Sequence, residues 1–243
     1  MKGIVLAAGP GRRLHPLTEA LPKTLLPLDD GRTILDLALA NLASVGLEEV
    51  VVVTGFAADR VEERAADLER RHGVRLELVF NDRAEEWNNA YSLWLAREAF
   101  ARGGMLVNGD TAHPRSVEDS LLAARGPGLL LAVDQERKLG AEQMKVVLEE
   151  DGTLRRIGKD VDPATADGEY IGVALIEAAA AEPLAQALET TWRRDPSLYY
   201  EDGFQELADR DGDVRIAPIG TVDWVEVDDL ADLARARELE FRS

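Results

Sequence analysis

The sequence Leu6-Ala7-Ala8-Gly9-Pro10-Gly11-Arg12-Arg13-Leu14 follows a short apolar run at residues 3–6. Such a run, bounded by glycines, predicts a buried strand. Glycines directly after a strand let the backbone approach a ligand closely, and successive N–H groups there can bind an anion. Arg12, Arg13 and the later Lys23 add positive charge in an acidic chain. The stretch therefore predicts a polyphosphate-binding loop, although a tight turn without a ligand would use the same glycines.

Two common phosphate-binding loops do not fit this sequence. A P-loop requires Gly-Lys and then Ser or Thr after four intervening residues, and neither Gly9 nor Gly11 has this continuation. A dinucleotide-binding loop requires a third small residue where Leu14 stands, with a helix directly behind it. Pro16 and Pro22 disfavour that helix, because proline disrupts a helix interior. An oxidoreductase of the dinucleotide-binding class is therefore excluded.

The composition predicts a cytoplasmic α/β protein. The chain has 243 residues, of which 46% are hydrophobic, so it can form one large α/β domain or two small ones. No run approaches the roughly 18 apolar residues of a membrane span. The N-terminus enters the first predicted strand almost at once, which leaves no room for a signal peptide. The chain contains no cysteine, which excludes disulfides and thiolate chemistry.

The charge of the chain limits its partners. Its net charge is −18 and its isoelectric point is near 4.6, which argues against nucleic acid or an anionic membrane as a partner. An anionic substrate would then need a local group of cations or a divalent metal. The sequence leaves the oligomeric state open between a monomer and a homodimer.

The first half of the chain alternates predicted strands and helices. Helical spacing of apolar residues predicts helices over 33–45 and 59–71, and apolar runs predict strands over 50–53 and 74–80. This alternation predicts right-handed crossovers and a parallel, Rossmann-like sheet flanked by helices. A helix after Asn88 or Asn89, a strand over 105–107, a helix over 114–125 and a strand over 128–133 continue the pattern.

The pattern changes after residue 138. Shorter predicted strands at 144–148, 154–157 and 170–176 indicate a smaller, mixed or antiparallel region. Helices over 178–193 and 199–208, a strand over 214–219 and a final helix reaching Phe241 complete the prediction. We expect a single domain over residues 1–243, in which residues 1–135 and 136–243 form two functional halves.

Three acidic residues occupy positions suited to a ligand site. Asp110 follows a predicted central strand, at the edge where α/β proteins bind ligands, although a turn also favours aspartate there. Glu226 and Asp228 alternate along a short extended segment, so their carboxylates face the same side. Asp228 or Asp229 is also a suitable N-cap for the final helix.

Two segments near the N-terminus resemble a known family. Gly9-Pro10-Gly11-Arg12-Arg13-Leu14-His15-Pro16-Leu17-Thr18 and Pro22-Lys23-Thr24-Leu25-Leu26-Pro27-Leu28 are similar to the signature loop of the sugar-nucleotide pyrophosphorylase and nucleotidyltransferase superfamily. One extra arginine, Arg12 or Arg13 depending on the alignment, departs from the commonest form. The resemblance implies catalytic roles for Arg13, Lys23 and Asp110. It also implies nucleotide contacts by Leu6, Ala7, Ala8, Gly9, Gly11, Arg12, Arg13 and Lys23.

Later segments resemble one branch of this superfamily. Asn88-Asn89-Ala90-Tyr91-Ser92-Leu93-Trp94-Leu95-Ala96, with the preceding Asn81-Asp82, resembles cytidylyltransferases acting on phosphocholine, aminoalkylphosphonates or inositol phosphate. Met144-Lys145-Val146, Ile157-Gly158-Lys159 and Gly168-Glu169-Tyr170-Ile171-Gly172 resemble the same branch. The resemblance implies nucleotide contacts by Asn81, Asn88, Asn89 and Ser92. It implies acceptor contacts by Tyr91, Lys145, Lys159, Glu169, Gly172, Tyr199, Tyr200 and Trp224, although a helix with buried aromatics and surface lysines would have the same residue types.

The resemblance implies a magnesium-dependent cytidylyltransferase. In this interpretation Asp110, Glu226 and Asp228 hold Mg²⁺, whose preferred ligands are hard oxygens. An oxygen of a small phosphate or phosphonate acceptor attacks the α-phosphorus of CTP, and pyrophosphate leaves. The alternatives are transfer to inositol-1-phosphate or a sugar-1-phosphate and, from another class, a non-catalytic nucleotide-binding regulator. The presence of all three carboxylates and of Lys23 disfavours the regulator.

The aromatic residues indicate the chemistry of the acceptor. Aromatic faces attract alkylammonium groups, and Tyr91, Tyr199, Tyr200 and Trp224 lie in or beside the cytidylyltransferase-like segments. We expect at least two of the four to be core residues. The nearby carboxylates Glu169, Glu201 and Asp202 could add charge attraction. No cluster of hydrogen-bonding side chains suited to inositol or a sugar is evident, so we predict an acceptor that carries a cationic amine.

Overall fold

The computed structural model describes residues 1–28 and 31–239, and a nine-stranded sheet runs through this part of the chain. Four parallel strands form one side of the sheet: β1 (Lys2–Ala7), its neighbours β2 (Glu49–Thr54) and β4 (Gly104–Asn108), and β3 (Arg75–Phe80) beyond β2. The helices that connect these strands are α1 (Ile34–Ser44), α2 (Ala58–His72), α3 (Asn89–Leu95) and α4 (Arg97–Phe100).

The second half of the chain completes the same sheet. An antiparallel strand, β9 (Gly168–Ile176), lies between β4 and β6 (Leu129–Asp134), and β10 (Val214–Pro218) runs parallel to β6 at the edge. Next to β9, β7 (Lys145–Leu148) and β8 (Leu154–Gly158) form an antiparallel extension. A separate pair joins β5 (Thr111–Ala112) to β11 (Val225–Glu226). The remaining helices are α5 (Ser116–Ala123), α6 (Ala178–Arg194), α7 (Tyr200–Ala208) and α8 (Leu230–Glu238).

Helices cover both faces of the sheet. Successive strand residues point to opposite faces, so Ile4 packs in the layer of α3, α4, α6 and α7, whereas Val5 packs in the layer of α1, α2 and α5. Phe100 and Leu42 are fully buried representatives of the two layers. Coverage of both faces explains why β1, β2 and β4 are nearly continuous apolar runs rather than alternating ones.

A third apolar cluster joins the two ends of the described chain. Leu14 and Leu26, from the loop after β1, pack with Val225 of β11 and Leu233 of α8. All four side chains are buried. This cluster holds the N-terminal loop, which contains Arg13 and Lys23, against the C-terminal segment, which contains Glu226 and Asp228.

The predicted Rossmann-like, mixed sheet with flanking helices is confirmed, and the second half is mixed as expected. The separate pairing of β5 with β11 was not predicted, because strands of two residues have no periodicity. The final helix is described to Glu238, and its predicted end at Phe241 lies outside the described residues. Strand β9 lies between two strands of the first half, so the sheet does not divide at residue 135. None of the described helices is long and apolar enough to cross a membrane.

Asp36 is a buried carboxylate that joins α1 to α2. It forms a capping box with Thr33, whose backbone N–H donates to Asp36 Oδ2 at 3.0 Å. Its other oxygen, Oδ1, lies 2.8 Å from both Arg71 Nη1 and His72 Nε2. Burial alone would raise the pKa of Asp36, but the hydrogen bonds from His72 and Thr33 and the charge of Arg71 lower it to about 2.

We expect Asp36→Asn to lower the free energy of unfolding by about 2 kcal/mol at pH 7. The folded-state pKa is depressed, so the carboxylate stabilises the fold above its unfolded pKa of 3.8, and this stabilisation is lost as the pH falls through about 2. The difference in the free energy of unfolding between wild type and variant should therefore be about half as large at pH 3 as at pH 7. Urea unfolding at the two pH values measures it, with the exposed Glu62→Gln as the control. A difference that does not depend on pH would contradict the assignment.

Candidate active site

A cleft of about 270 Å³ opens at the carboxyl ends of β1 and β4, the edge at which α/β sheets bind ligands. Leu6, Ala8 and Gly9 line it from the end of β1, and Asn108 and Asp110 from the end of β4. Arg13 lines the cleft from the N-terminal loop, and Glu226 and Asp228 line it from β11 and the residues after it. The other lining residues come from the start of α3, from β9 and from the segments around β7, β8 and α7; they are Asn88, Asn89, Ser92, Tyr170, Ile171, Gly172, Glu142, Met144, Lys159, Tyr199 and Glu201.

Two glycines allow the strands to meet closely at the floor of the cleft. A Cβ atom on Gly109 would lie 2.5 Å from the carbonyl oxygen of Leu6, which accepts a hydrogen bond from the Gly109 N–H at 2.9 Å. Gly172 has a φ of +82°, and a Cβ atom there would lie 2.5 Å from Asn108 Nδ2. Side chains at these positions would displace the backbone that places Asp110.

Three carboxylates converge at the mouth of the cleft. One oxygen from each of Asp110, Glu226 and Asp228 lies within 4.8 Å of the others. The pairing of β11 with β5 sets Glu226 opposite Thr111, next to Asp110. Asp229 caps α8 by accepting hydrogen bonds from the N–H groups of its first turn. Asp229 is therefore the N-cap, which leaves Asp228 in the carboxylate cluster.

Two cations from the N-terminal loop bind this cluster. Lys23 Nζ lies 2.8 Å from Asp110 Oδ2 and 3.0 Å from Asp228 Oδ1, and Arg13 lies 2.8 Å from Asp228 Oδ2. Burial would lower the pKa of Lys23, but the two carboxylates raise it well above its usual value. Burial would raise the pKa of Asp228, but Lys23 and Arg13 lower it. Glu226 is exposed at the rim of the cluster, but the protein around its carboxyl group and the charges of Asp110 and Asp228 raise its pKa.

The carboxylate cluster fits a divalent cation. Asp110 Oδ1 is buried, and no hydrogen-bond donor within residues 1–28 and 31–239 reaches it. Buried polar atoms rarely lack a partner, so this oxygen is free to bind an ion. Three carboxylates face two cationic side chains, which leaves an excess of negative charge. Hard oxygen donors of this kind suit Mg²⁺, and Asp110, Glu226 and Asp228 are the residues that would hold it.

The structure brings most of the predicted nucleotide-contacting residues together. Seven of them line the cleft: Leu6, Ala8, Gly9, Arg13, Asn88, Asn89 and Ser92. Gly11, Arg12 and Lys23 line an adjoining depression beside Asp228. Two lie behind the surface of the cleft. Ala7 packs in the core, and Asn81 is buried and donates to Ser92 Oγ at 2.8 Å.

The predicted acceptor-contacting residues divide into three groups. Lys159, Gly172 and Tyr199 line the cleft. Tyr200 is fully buried just beneath it, and its hydroxyl donates to Asn108 Oδ1 at 2.9 Å. Tyr91, Lys145, Glu169 and Trp224 do not line it.

These four residues have contacts elsewhere. Tyr91 belongs to a cluster of four aromatic rings, with its centroid 5.3 Å from that of Trp192. The indole of Trp224 is buried and donates to Asp134 Oδ2 at 2.7 Å. Glu169 is largely buried, and burial raises its pKa to about 7. Lys145 is fully buried and is not a surface residue.

Several cleft residues were missing from the predicted set: Asn108, Glu142, Met144, Tyr170, Ile171 and Glu201. Asn108 could have been found from its position at the end of β4, and Tyr170 and Ile171 from the family-like segment that contains them. Glu201 was predicted only as a nearby charge. Met144 also lies in a family-like segment and could have been found from it. Glu142 lies in an irregular segment, and its position depends on contacts that the sequence does not show.

The chain belongs to the nucleotidyl transferase family. Residues 2–124, just over half of the chain, match the family model described as nucleotidyl transferase, so the predicted superfamily is confirmed. The chain is similar to CMP-5'-(3-aminopropyl)phosphonate synthase of Streptomyces rubellomurinus, with 32% identity over 100% of this chain and 38% of the relative.

Two further proteins are similar to it. Choline-phosphate cytidylyltransferase of Streptococcus pneumoniae has 37% identity over 42% of this chain and 41% of the relative. The matches therefore span about 40% of the length of both curated relatives. The solved structure of the inositol-1-phosphate CTP transferase from T. maritima has the same fold, with a TM-score of 0.81 and 24% identity over 98% of this chain and 96% of that chain.

We expect Asp110→Asn and Glu226→Gln each to weaken binding of Mn²⁺, a paramagnetic substitute for Mg²⁺, by about tenfold or more, because a charged ligand becomes a neutral amide. Electron paramagnetic resonance of the free ion measures the dissociation constant without any turnover. The exposed Glu48→Gln is the matched control and should bind Mn²⁺ as wild type does. Wild-type affinity in Asp110→Asn would contradict the assignment of the cluster as a metal site.

Proposed function

We propose that this protein is a magnesium-dependent cytidylyltransferase that transfers CMP from CTP to a small phosphate or phosphonate acceptor and releases pyrophosphate. The observation that carries the proposal is the convergence of Asp110, Glu226 and Asp228 with Lys23 and Arg13 beside the glycine loop. Similarity to relatives named for a cytidylyl or CMP product supports cytidine as the transferred nucleoside.

The loop after β1 is suited to bind the triphosphate. A Cβ atom at Gly9 would contact nothing within 4 Å, so the backbone there is open to a ligand. Arg13 is 68% exposed in its side chain although it contacts Asp228, so its guanidinium is accessible to a phosphate. Loop amides from Ala8 to Arg13, together with these cations, would hold the β- and γ-phosphates and then the leaving pyrophosphate.

The chemistry depends on positioning and on charge. A phosphate or phosphonate acceptor is already anionic at neutral pH, so no general base is needed, and attack on the α-phosphorus requires alignment of the two groups. Mg²⁺ held by Asp110, Glu226 and Asp228 would neutralise negative charge on the phosphates. Lys23, held beside these acids, supplies a fixed positive charge where negative charge develops on the leaving group.

A carboxyl group in the wall of the cleft favours a cationic acceptor. Glu201 Oε2 is buried and has no hydrogen-bond donor in the described parts of the chain. Burial raises the pKa of Glu201 to about 8. An unpaired buried carboxyl group is costly, and an ammonium group on the acceptor would compensate it. Tyr199 adds an aromatic face that already attracts a cation, since Lys159 Nζ lies 5.5 Å from its ring centroid.

A polyhydroxylated acceptor such as inositol-1-phosphate or a sugar-1-phosphate is less well supported. Three asparagines line the cleft, but the carbonyl oxygen of each already accepts a hydrogen bond from the protein. Asn88 accepts from the N–H of Asn89, Asn89 accepts from the N–H of Tyr200, and Asn108 accepts from the hydroxyl of Tyr200. All three asparagine side chains are therefore already held by hydrogen bonds within the protein.

We expect Lys23→Ala to lower kcat by about 100- to 1,000-fold, the range observed when a single charge-stabilising donor is removed. Lys23→Arg should recover only part of the activity, because a planar fork replaces a compact ammonium group. Steady-state pyrophosphate release with CTP measures both variants. Lys138→Ala removes an exposed lysine and should be unaffected. Unimpaired turnover in Lys23→Ala would show that Lys23 has only a structural role.

The proposed function is tested by pyrophosphate release from four nucleotides, each combined with phosphocholine, 2-aminoethylphosphonate, inositol-1-phosphate and glucose-1-phosphate. We expect CTP with an amine-bearing acceptor to give the highest kcat/KM. At pH 9, where the Glu201 carboxyl group is ionised, Glu201→Gln should lower kcat/KM for phosphocholine about tenfold, because a neutral amide replaces the carboxylate that pairs with the cation. An equal value for an uncharged analogue of the same length would contradict the cationic subsite.

The same pairing predicts a pH dependence. Below a pKa of about 8 the Glu201 carboxyl group is neutral, and above it the group is an anion that attracts a cation. For phosphocholine, whose ammonium does not titrate, the ratio of wild-type to Glu201→Gln kcat/KM should rise between pH 7 and pH 9. A ratio that stays constant over this range would show that the charge of Glu201 does not contribute to acceptor binding.

A further inference from the structure

Lys145 is a fully buried lysine whose ammonium group binds only backbone carbonyl oxygens within the described residues. Its Nζ donates to the oxygens of Gly140 at 3.2 Å, Ala141 at 3.0 Å, Gln143 at 2.9 Å and Lys159 at 2.8 Å. An ammonium group has three N–H bonds, so four acceptors at these distances satisfy it completely. Burial of a lysine without such partners would be very unfavourable.

The four carbonyls belong to two separate segments of the cleft wall. Gly140, Ala141 and Gln143 lie in the segment 140–144, whose Glu142 and Met144 line the cleft. Lys159 follows β8, and it also lines the cleft. One buried charge thus joins two stretches of backbone that approach the cleft from different places in the sequence.

Little else orders the segment 140–144. It has no regular secondary structure. Besides the bonds to Lys145, the described residues show one hydrogen bond between members of the segment, from Gly140 N–H to Gln143 Oε1 at 2.8 Å, and one from Tyr170 N–H to Met144 O at 2.8 Å. The backbone of 140–143 bends around the ammonium group as a loop bends around a bound cation.

We propose that Lys145 is a positioning residue: its ammonium group acts as a built-in cation that orders the segment 140–144 and the Lys159 backbone as the acceptor-side wall of the cleft. It does not itself touch the acceptor. Its effect on the acceptor rests on the proposed function, whereas its effect on the order of the segment does not.

The geometry provides a direct chemical test. Lys145→Ala keeps the Cβ atom and removes three carbons and the ammonium group, which together have the composition of n-propylammonium. Added n-propylammonium can therefore occupy the vacated space and restore the four hydrogen bonds. The neutral analogue 1-propanol has similar size but only one donor and no charge. Lys145→Met keeps most of the length of the side chain without donors and serves as the second variant if Lys145→Ala does not fold.

Hydrogen–deuterium exchange, read by mass spectrometry on peptides that cover 138–144 and 168–171, tests the ordering role without substrates. It follows the amides of Gly140 and Tyr170, which donate to Gln143 Oε1 and to Met144 O. We expect exchange to accelerate about tenfold or more in Lys145→Ala and Lys145→Met, because the local structure opens more often. n-Propylammonium, but not 1-propanol, should slow exchange in Lys145→Ala. The exposed Lys138→Ala should exchange as wild type does. Wild-type protection in Lys145→Met would overturn the proposal.

Kinetics test the consequence for the acceptor. We expect Lys145→Met to raise KM for the acceptor about tenfold or more while KM for CTP changes little, since the displaced wall faces the acceptor. Equal losses for both substrates would overturn the positioning role. If no acceptor is turned over by wild type, the proposed function fails, while the exchange result still decides whether Lys145 orders the segment.

Discussion

The ammonium group of Lys23 is the contact on which the site depends. It bridges Asp110, at the end of β4, and Asp228, after β11, and so joins three segments that are far apart in the sequence. Three carboxylates within 4.8 Å repel each other, and the repulsion grows as the surroundings exclude water. A buried ion pair on its own adds little net stability, because both charges lose their hydration. The third apolar cluster, which contains Leu14 and Val225, therefore contributes the stability that keeps these charges together.

The positive charges of the N-terminal loop oppose the repulsion that the net charge of the whole chain exerts on an anionic ligand. A net charge of −18 repels a nucleotide triphosphate at long range. At the cleft positive charge is concentrated locally, because Arg12, Arg13 and Lys23 lie along one loop beside the acids. Within a Debye length of about 8 Å, these near charges dominate over the remote ones. The acids nevertheless outnumber the cations that contact them, and a divalent cation would complete the balance for an anionic ligand.

The sequence predicted the elements of the fold well, and it predicted those site residues whose position follows from the backbone alone. Asp110 could be placed because a strand end is defined by local periodicity, and Glu226 with Asp228 because alternate residues share a face. Tyr91 shows the limit. It is adjacent to Ser92, but neighbouring helix residues point about 100° apart, so Ser92 lines the cleft while Tyr91 contacts Trp192. Lys145 was unpredictable for another reason, because its partners are carbonyls that exist as a group only after the chain has folded.

In and directly after the short strand β11, the residues that stabilise the fold also orient a residue of the carboxylate cluster. Val225 in β11 and Val227 directly after it are fully buried in the third apolar cluster, and Glu226 between them faces the carboxylates. An extended segment places successive residues on opposite faces, so burial of the two valines fixes the direction of Glu226. The free energy gained from that burial opposes the repulsion among the acids. The hydrophobic core therefore holds together a group of like charges that would otherwise separate.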